Sequence, residues 1–520
     1  MFISDDWLVG FAGYKKAINA QAPAQGRGLF KSTRGNIMIA VYSSKVYRID
    51  ENLNVTEYSG TLATESGEVF MDENLNNQIC IVDGVNAYII NHSLPPVLTV
   101  QTGGPLGSTL IPNYVCFHDT FFLIGNGDTT GNGAKWYAYS YASPTTISQT
   151  TELALQTKPD YAIAVKAIPS QADQVLVFGT TVCEIHTHIG GTQNYRRNST
   201  VNVDFGCLSV STIASSDQYI AWLGVNQANA PVIMVYHGQS AISISTDGID
   251  YLLGQLEYPE QSTALFYRQD GHLFYQLTFF NQEDNVTILY DFDEKKFFHL
   301  TDQFEAYHPA RQTAYFNQKS YFISLKNGAI YETNTDITVY DENVVPATST
   351  EYDSSLVYEI PRTRITDNIR RADSARFIVN SLVFTLAQGD DPLVAGLSIA
   401  SAYPDNLITE DNFDPSNDDI ISQSGQLMVA QVNTSPITPY SPLPYAIPTT
   451  LVYRPRVDLS ISKDGGYTYS NTVSRLLNPI GNRQNIITYN NLGRCNDLVL
   501  KFRFWGKGSL IVNNGLLDTY

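Results

Sequence analysis

The feature that most constrains this chain is a strand-turn-strand sentence that returns every 40 to 55 residues or so. IMIAVYSSKVYRID (37–50) reads as strand, two-residue turn and strand, and NQICIVDGVNAYII (77–90) repeats it around Asp83-Gly84, a pair suited to tight turns. HDTFFLIGNGDTTGNGAKWYAYS (118–140), DQVLVFGTTVCEIHTHIG (173–190) and DQYIAWLG with VIMVYHGQSAISIST (217–246) continue the series. GHLFYQLTF with VTILYDFDEKKFFHL (271–300) and TAYFNQKSYFISLKNGAIYETN (313–334) extend it. The spacing fits one four-stranded blade per unit. A blade cannot bury both faces alone, so neighbours must stack around an axis. The expected fold is all-β and β-propeller-like, with six or seven blades and additional C-terminal β-strands.

Composition changes along the chain mark the expected boundaries. Residues 1–34, with Gly10, Gly13, Gly26 and Gly28 among Ala, Gln and Pro, read as an irregular arm, and 35–334 as the blades. Residues 335–373 are acidic and Ser/Thr-rich around Pro346 and read as a linker or edge loop. A C-terminal β section then spans 374–520, interrupted at 390–450 by a long Pro/Asn/Asp-rich insertion with one strand at 425–432. Its last strands either complete the final blade or form a small β domain.

The totals exclude several classes of function. The 520 residues carry 51 Asp and Glu against 32 Lys and Arg, a formal charge of −19 with no run of four basic residues, so nonspecific polyphosphate binding is disfavoured. With 33 Tyr and 24 Phe but only 16% charged residues, aromatic side chains must supply much of the buried area. Five unpatterned cysteines read as small buried hydrophobes in a reducing compartment. MFISDDWLVG lacks a basic n-region, and no run of eighteen apolar residues predicts a membrane span.

Candidate sites are few. Ser462, Asp464, Gly466, Thr468 and Tyr469 in SKDGGYTY match an Asp box, in which the aspartate holds backbone N–H groups of a hairpin turn and the aromatic packs beneath; this is a fold device. Sialidases carry such boxes, but their arginine clamp comes from separate blades, whereas Arg362, Arg364, Arg370, Arg371 and Arg376 lie within fifteen residues. Those arginines are expected to form an electropositive protein-contact face or, equally, an ordinary basic surface segment. Glu184, His186 and His188 share one face of a strand, a ligand geometry short of a fourth group. KWYAY (135–139) would bind a partner if exposed, or pack between blades if buried. No G-x-S-x-G elbow or phosphate-binding glycine loop is present. The expectation is no enzyme, with catalytic, cofactor and metal residues all none.

The opening hairpin AVYSSKVYRIDENLNVTEYSG, then QVLVFGTTVCEIHTHIGG, ILYDFDEKKFFHL, RRADSARFIVNSLVF, DLSISKDGGYTYS and RCNDLVLKFRF, in that order, resemble the packaged-DNA stabilisation or tail hub proteins of short-tailed bacteriophages. The likeness spans residues 30 to 520. ADSARF (372–377) matches the start of that family's last β section. Ile185 departs from an aromatic expected after Glu184, and the 390–450 stretch is longer than expected. The resemblance implies six copies forming a hub ring below the portal and its adaptor ring. That ring closes the DNA channel after packaging and holds the tail needle or plug, with a tailspike as a further partner. It implies a protein made in the host cytoplasm and carried in the virion tail, with no cofactor and no sequence-specific nucleic acid. The alternative is a receptor- or glycan-binding propeller of a tail appendage, which predicts an exposed aromatic cluster lining a rim pocket.

Overall fold

The computed structural model describes residues 2–4, 7–22, 24–92, 97–169, 171–190, 194–226, 228–238, 240–371, 373, 375–386, 455–477, 485–508 and 510–519. The insertion at 390–450, with the strand expected at 425–432, lies outside the described residues. The described chain falls into two compact units, one of residues 12–358 and one of residues 1–11 with 359–520.

The larger unit is built from antiparallel sheets, mostly four-stranded, that resemble propeller blades; no single sheet closes on itself. Six sheets begin with the strands Gly26–Lys31, Phe70–Glu73, Pro112–His118, Ala164–Ala167, Gly206–Cys207 and Ser262–Gln269, and a seventh with Ala310–Phe316. We number them one to seven.

The second strands explain the packing. MIAVY is apolar at every position, and QICIV and QVLVF at every position after the leading glutamine, which in a strand of period two means that both faces are buried. In sheet one, Met38, Ala40 and Tyr42 share a core with Phe316, Tyr321 and Ile323 of sheet seven. Ile39 and Val41 turn instead to Ile79, Ile81 and Tyr88 of sheet two. Cys80 and Val82 meet sheet three through Phe122 and Ile124, and Leu176 and Phe178 of sheet four meet Trp222 and Met234 of sheet five. Ala221 and Leu223, of opposite parity to Trp222, join Tyr275 and Leu277 of sheet six. All five cysteines are buried and free, as small hydrophobes are. Trp136, Tyr137 and Tyr139 of KWYAY are buried in the same way, so they serve packing.

The arm expected at 1–34 is corrected. Gly13–Ile18 is the fourth strand of sheet seven, pairing with Ile330–Asn334 in register Gly13↔Asn334 to Ile18↔Ile330, and Gly26–Lys31 is the first strand of sheet one. The glycines that read as loop mark close approach. A Cβ on Gly13 would lie 2.1 Å from the Val339 carbonyl oxygen, and one on Gly26 2.3 Å from Ile323. The linker expected at 335–373 is also partly structured: Val339–Asp341 runs parallel to Gly13–Ile18, and Arg362–Ile365 pairs with Val499–Trp505.

In the smaller unit, a five-stranded and a four-stranded sheet share one core. Phe377, Val379, Leu382 and Phe384 lie among Val457, Leu459, Tyr489 and Phe504.

Within sheet seven the contacts around Tyr14 are aromatic, while polar contacts join sheets six and seven: Gln276 meets His308, and Thr313 Oγ1 donates to the Phe266 carbonyl. Tyr14 stacks on Tyr340 at 4.2 Å, meets Phe322, Tyr331 and His308 edge-on, and donates to Gln303 Oε1 at 3.0 Å. Truncating Tyr14 to Ala is expected to cost about 3–5 kcal/mol, read from the urea midpoint; a loss below about 1 kcal/mol would show that sheet seven holds without it. His308 Nδ1 faces Gln276 Nε2 at 3.3 Å, and burial, reinforced by Lys326, pushes its imidazole down to about 3 against the pull of Asp302. An ordinary histidine titrates near 6.5, so below that pH the unfolded chain takes up a proton that the folded one does not. Stability contributed by His308 is therefore full above pH 6.5 and falls towards pH 3. Lowering the pH from 7 to 5 should cost about 2 kcal/mol that His308→Gln does not lose, a difference measurable by paired urea titrations.

Candidate functional sites

The first strands of sheets one to four, and of sheets six, seven and one, lie beside their neighbours, and Ala214–Ser215 of sheet five lies beside the first strand of sheet six, which gathers polar side chains from several sheets. Glu68, just ahead of sheet two, accepts from Gln312 Nε2 of sheet seven at 2.7 Å and from Thr263 Oγ1 of sheet six at 3.1 Å. Gln312 Oε1 accepts Leu29 N of sheet one at 2.8 Å, and Arg311 Nη1 donates to Gly26 O at 3.0 Å. Burial pushes the Glu68 carboxyl up, against the pull of Arg311 and the hydrogen bonds from Gln312, Ser211 and Thr263. Across the same region, Asp72 of sheet two accepts Phe117 N of sheet three at 2.7 Å. The Lys166 ammonium of sheet four lies 5.8 Å from the Tyr114 ring centre. Burial works against its charge, but Tyr114, Cys116 and Asp72 together hold its pKa above the ordinary lysine value. These groups do structural work: each satisfies a partner from another sheet, and none presents a nucleophile beside a base.

The Asp box occupies the hairpin between Arg456–Ser462 and Val473–Leu476 of the smaller unit. Ser462 Oγ donates to Asp464 Oδ1 at 2.6 Å and accepts Gly466 N at 2.8 Å; Thr468 N donates to Asp464 Oδ1 at 3.0 Å. The hydrogen bonds from Ser462 and Thr468 hold the Asp464 carboxyl far below the usual carboxylate range. Gly466 takes φ +102°, which L side chains rarely adopt, and the Tyr469 ring lies 5.6 Å from Lys501 Nζ.

The five arginines do not form one surface. In Arg362–Ile365 the side chains alternate, so Arg362 and Arg364 turn inward together while Thr363 and Ile365 are exposed. Arg362 is 3% exposed and donates to the carbonyls of Gly506 at 3.1 Å and Gly508 at 3.0 Å. Its place in the expected contact face is therefore corrected: it caps backbone within the unit. Arg370, Arg371 and Arg376 are exposed, the first paired with Asp497 and the second with Asp373 at 3.4 Å.

Glu184 and His186 are buried, and His186 Nε2 lies 3.1 Å from Glu184 Oε2. Glu184 also accepts from Gln156 N at 2.8 Å and Thr157 Oγ1 at 2.6 Å. Burial pushes its carboxyl up, yet the bonds from His186, Thr157 and Gln156 outweigh that and bring it down to about 2. His188 turns away to Asp119 at 2.5 Å. The strand face thus splits into two local pairs, Glu184 with His186 and His188 with Asp119. A different group, His272, Asp291 and Asp293, does converge, with potential ligand atoms within 4.8 Å of one another. Its groups already serve the hairpin: Asp291 Oδ2 lies 2.8 Å from His272 Nδ1, and Asp293 Oδ2 accepts Leu273 N at 3.0 Å.

The cross-sheet polar cluster was not legible in the sequence. Glu68 lies more than 240 residues from Arg311 and Gln312, and nothing in ESGEVF or HPARQTAYF distinguishes them from ordinary surface residues.

A family described as "Bacteriophage P22 Gp10, beta-propeller" matches residues 1–338, a span that holds nearly all of the larger unit. No curated protein matches the sequence significantly. Among solved structures, the N-terminal domain of Nup159 aligns with 64% of this chain and 97% of its own, at 11% identity and a TM-score of 0.38. The β-propeller domain of Myceliophteria thermophila Cps50 (Swd1) aligns with 61% of this chain and 99% of its own, at 9% identity and a TM-score of 0.40. A Lactobacillus plantarum protein aligns with 55% and 85% respectively, at 12% identity and a TM-score of 0.37.

Replacing Glu68 by Leu removes the acceptor shared by Gln312 and Thr263 and is expected to lower stability by about 2 kcal/mol. A urea midpoint equal to that of the parent protein would show that the cluster is incidental.

Proposed function

Since the chain belongs to the phage stabilisation family typified by Bacteriophage P22 Gp10, a family associated with non-enzymatic structural proteins of phage, we propose that it is a tail hub protein. In this reading the seven sheets form a seven-bladed propeller. Several copies, six by the family resemblance, ring the channel below the portal and adaptor, close it after packaging and hold the needle or plug. The observation that carries the reading is the match over residues 1–338, reinforced by polar clusters that tie sheets together and present no reacting pair.

Stabilising packaged DNA in this way needs a closed channel and no grip on phosphate. A formal charge of −19 suits that, since the chain repels the genome it retains. The contact with the adaptor is assigned to the exposed arginines Arg370, Arg371 and Arg376. The ion pairs of Arg370 with Asp497 and of Arg371 with Asp373 lie at the surface, where exchange for a partner's carboxylates is inexpensive.

The test is electron microscopy of the full chain mixed with the portal and adaptor of its own virus. A ring docked below an intact adaptor is the expected result, and failure to dock there would refute the hub role. Changing Arg371 and Arg376 together to Glu should weaken docking at least tenfold while leaving the thermal midpoint within about 1 °C, as for exposed residues generally. Unchanged docking would move the interface elsewhere.

A further inference from the structure

At one end of sheet six, Tyr258 and Gln261 stand just ahead of its first strand, opposite the turn that follows its second strand. With Phe280 and Tyr307 they border an open cleft of about 520 Å³. The cleft is braced from below by a buried carboxylate. Asp284 accepts Glu257 N at 3.0 Å, Tyr258 N at 2.6 Å and Asn281 Nδ2 at 3.0 Å, joining the two sides of the cleft. Asn281 Oδ1 in turn accepts Glu283 N at 2.8 Å and fixes the turn, and Asn285 Oδ1 accepts Tyr307 N at 2.6 Å. The Arg311 guanidinium lies 5.5 Å from the Phe280 ring centre and Lys326 Nζ 4.1 Å from that of Tyr307, so both rings are held by cations.

Inside this frame three polar heads remain uncommitted. Among the described residues, the side chains of Gln261, Gln282 and Glu283 make no hydrogen bond, although all three border the cleft. Two planar amides, a carboxylate and three aromatic rings in a shallow, open cleft are poorly suited to an apolar ligand, which would leave the polar heads unpaired. They suit a pyranose. Its C–H face packs on an aromatic ring, and its adjacent hydroxyls pair with a carboxylate or an amide that both donates and accepts. Glu283 and the acidic chain as a whole disfavour a uronic or sialic acid.

We propose that this cleft binds a neutral oligosaccharide, with one sugar ring on Tyr258 and its hydroxyls shared between Gln282 and Glu283. An open cleft of this size engages one or two sugar units, so affinity is millimolar for a single cleft and gains strength only when several copies act together. The inference does not depend on the hub reading and is tested on the isolated full chain, so a failure of ring assembly leaves it standing.

The experiment is saturation-transfer NMR with hexose and N-acetylhexosamine oligosaccharides, alongside an oligogalacturonate as the acidic counterpart. Neutral oligosaccharides are expected to bind. Tyr258→Ala should weaken them about tenfold, the worth of one aromatic contact. Gln282→Ala should do the same, and because both residues lie at the surface the thermal midpoint should not move. Absence of neutral binding at millimolar concentration would overturn the proposal, as would binding that survives both substitutions or a preference for the acidic oligosaccharide.

Discussion

The antiparallel pairing of Gly13–Ile18 with Ile330–Asn334 is the interaction on which the larger unit depends. Each sheet has a second strand buried on both faces, so each needs a neighbour on either side, and a linear stack would leave two apolar faces in water. Sheet seven packs on sheet one through Phe316, Tyr321 and Ile323 against Met38, Ala40 and Tyr42, which leaves no such end face at that junction. The sheet that makes this contact takes its fourth strand from the start of the chain. The two ends of residues 12–358 are thereby held in one set of hydrogen bonds, and local fraying at either end is opposed by the other.

Polar residues serve the same end. Glu68, Thr263, Arg311 and Gln312 join sheets one, two, six and seven where the first strands come together and side chains must be satisfied by partners from other sheets. Two readings that treated ionisable groups as sites meet the same logic. Arg362 caps the carbonyls of Gly506 and Gly508, and Glu184 gathers a histidine, a threonine and backbone N–H groups. In a chain with few charged residues, those that are buried are held by specific hydrogen bonds, and their pKa directions follow from that and not from catalysis.

This organisation suits a structural part of a phage particle. Broad apolar contacts between sheets and cross-sheet hydrogen bonds resist deformation, while binding surfaces are left to turns and to the smaller unit. The cleft beside sheet six is built in this manner: a scaffold carboxylate, Asp284, fixes backbone, and the side chains facing solvent are left free to recognise.

The repeating unit was legible in the sequence because strand periodicity and turn chemistry are local. MIAVY and QVLVF announce strands buried on two faces, and Asp83-Gly84 announces the corner. The Asp box was legible for the same reason, its donors and acceptor lying within seven residues. What the sequence could not reveal depended on distant partners. Gly13 and Gly26 look like a loop until strands from the far end of the unit approach them, and only the alternation of Arg362–Ile365 against its sheet turns Arg362 inward. Tyr258, Phe280 and Tyr307 border one cleft although up to 49 residues separate them, because the sheet brings them together. Local propensity thus determined which segments are strands and where they turn. Tertiary packing alone decided which glycines are spacers, which charges are buried and which aromatic rings remain open to a ligand, since each of those outcomes is set by atoms remote in the chain.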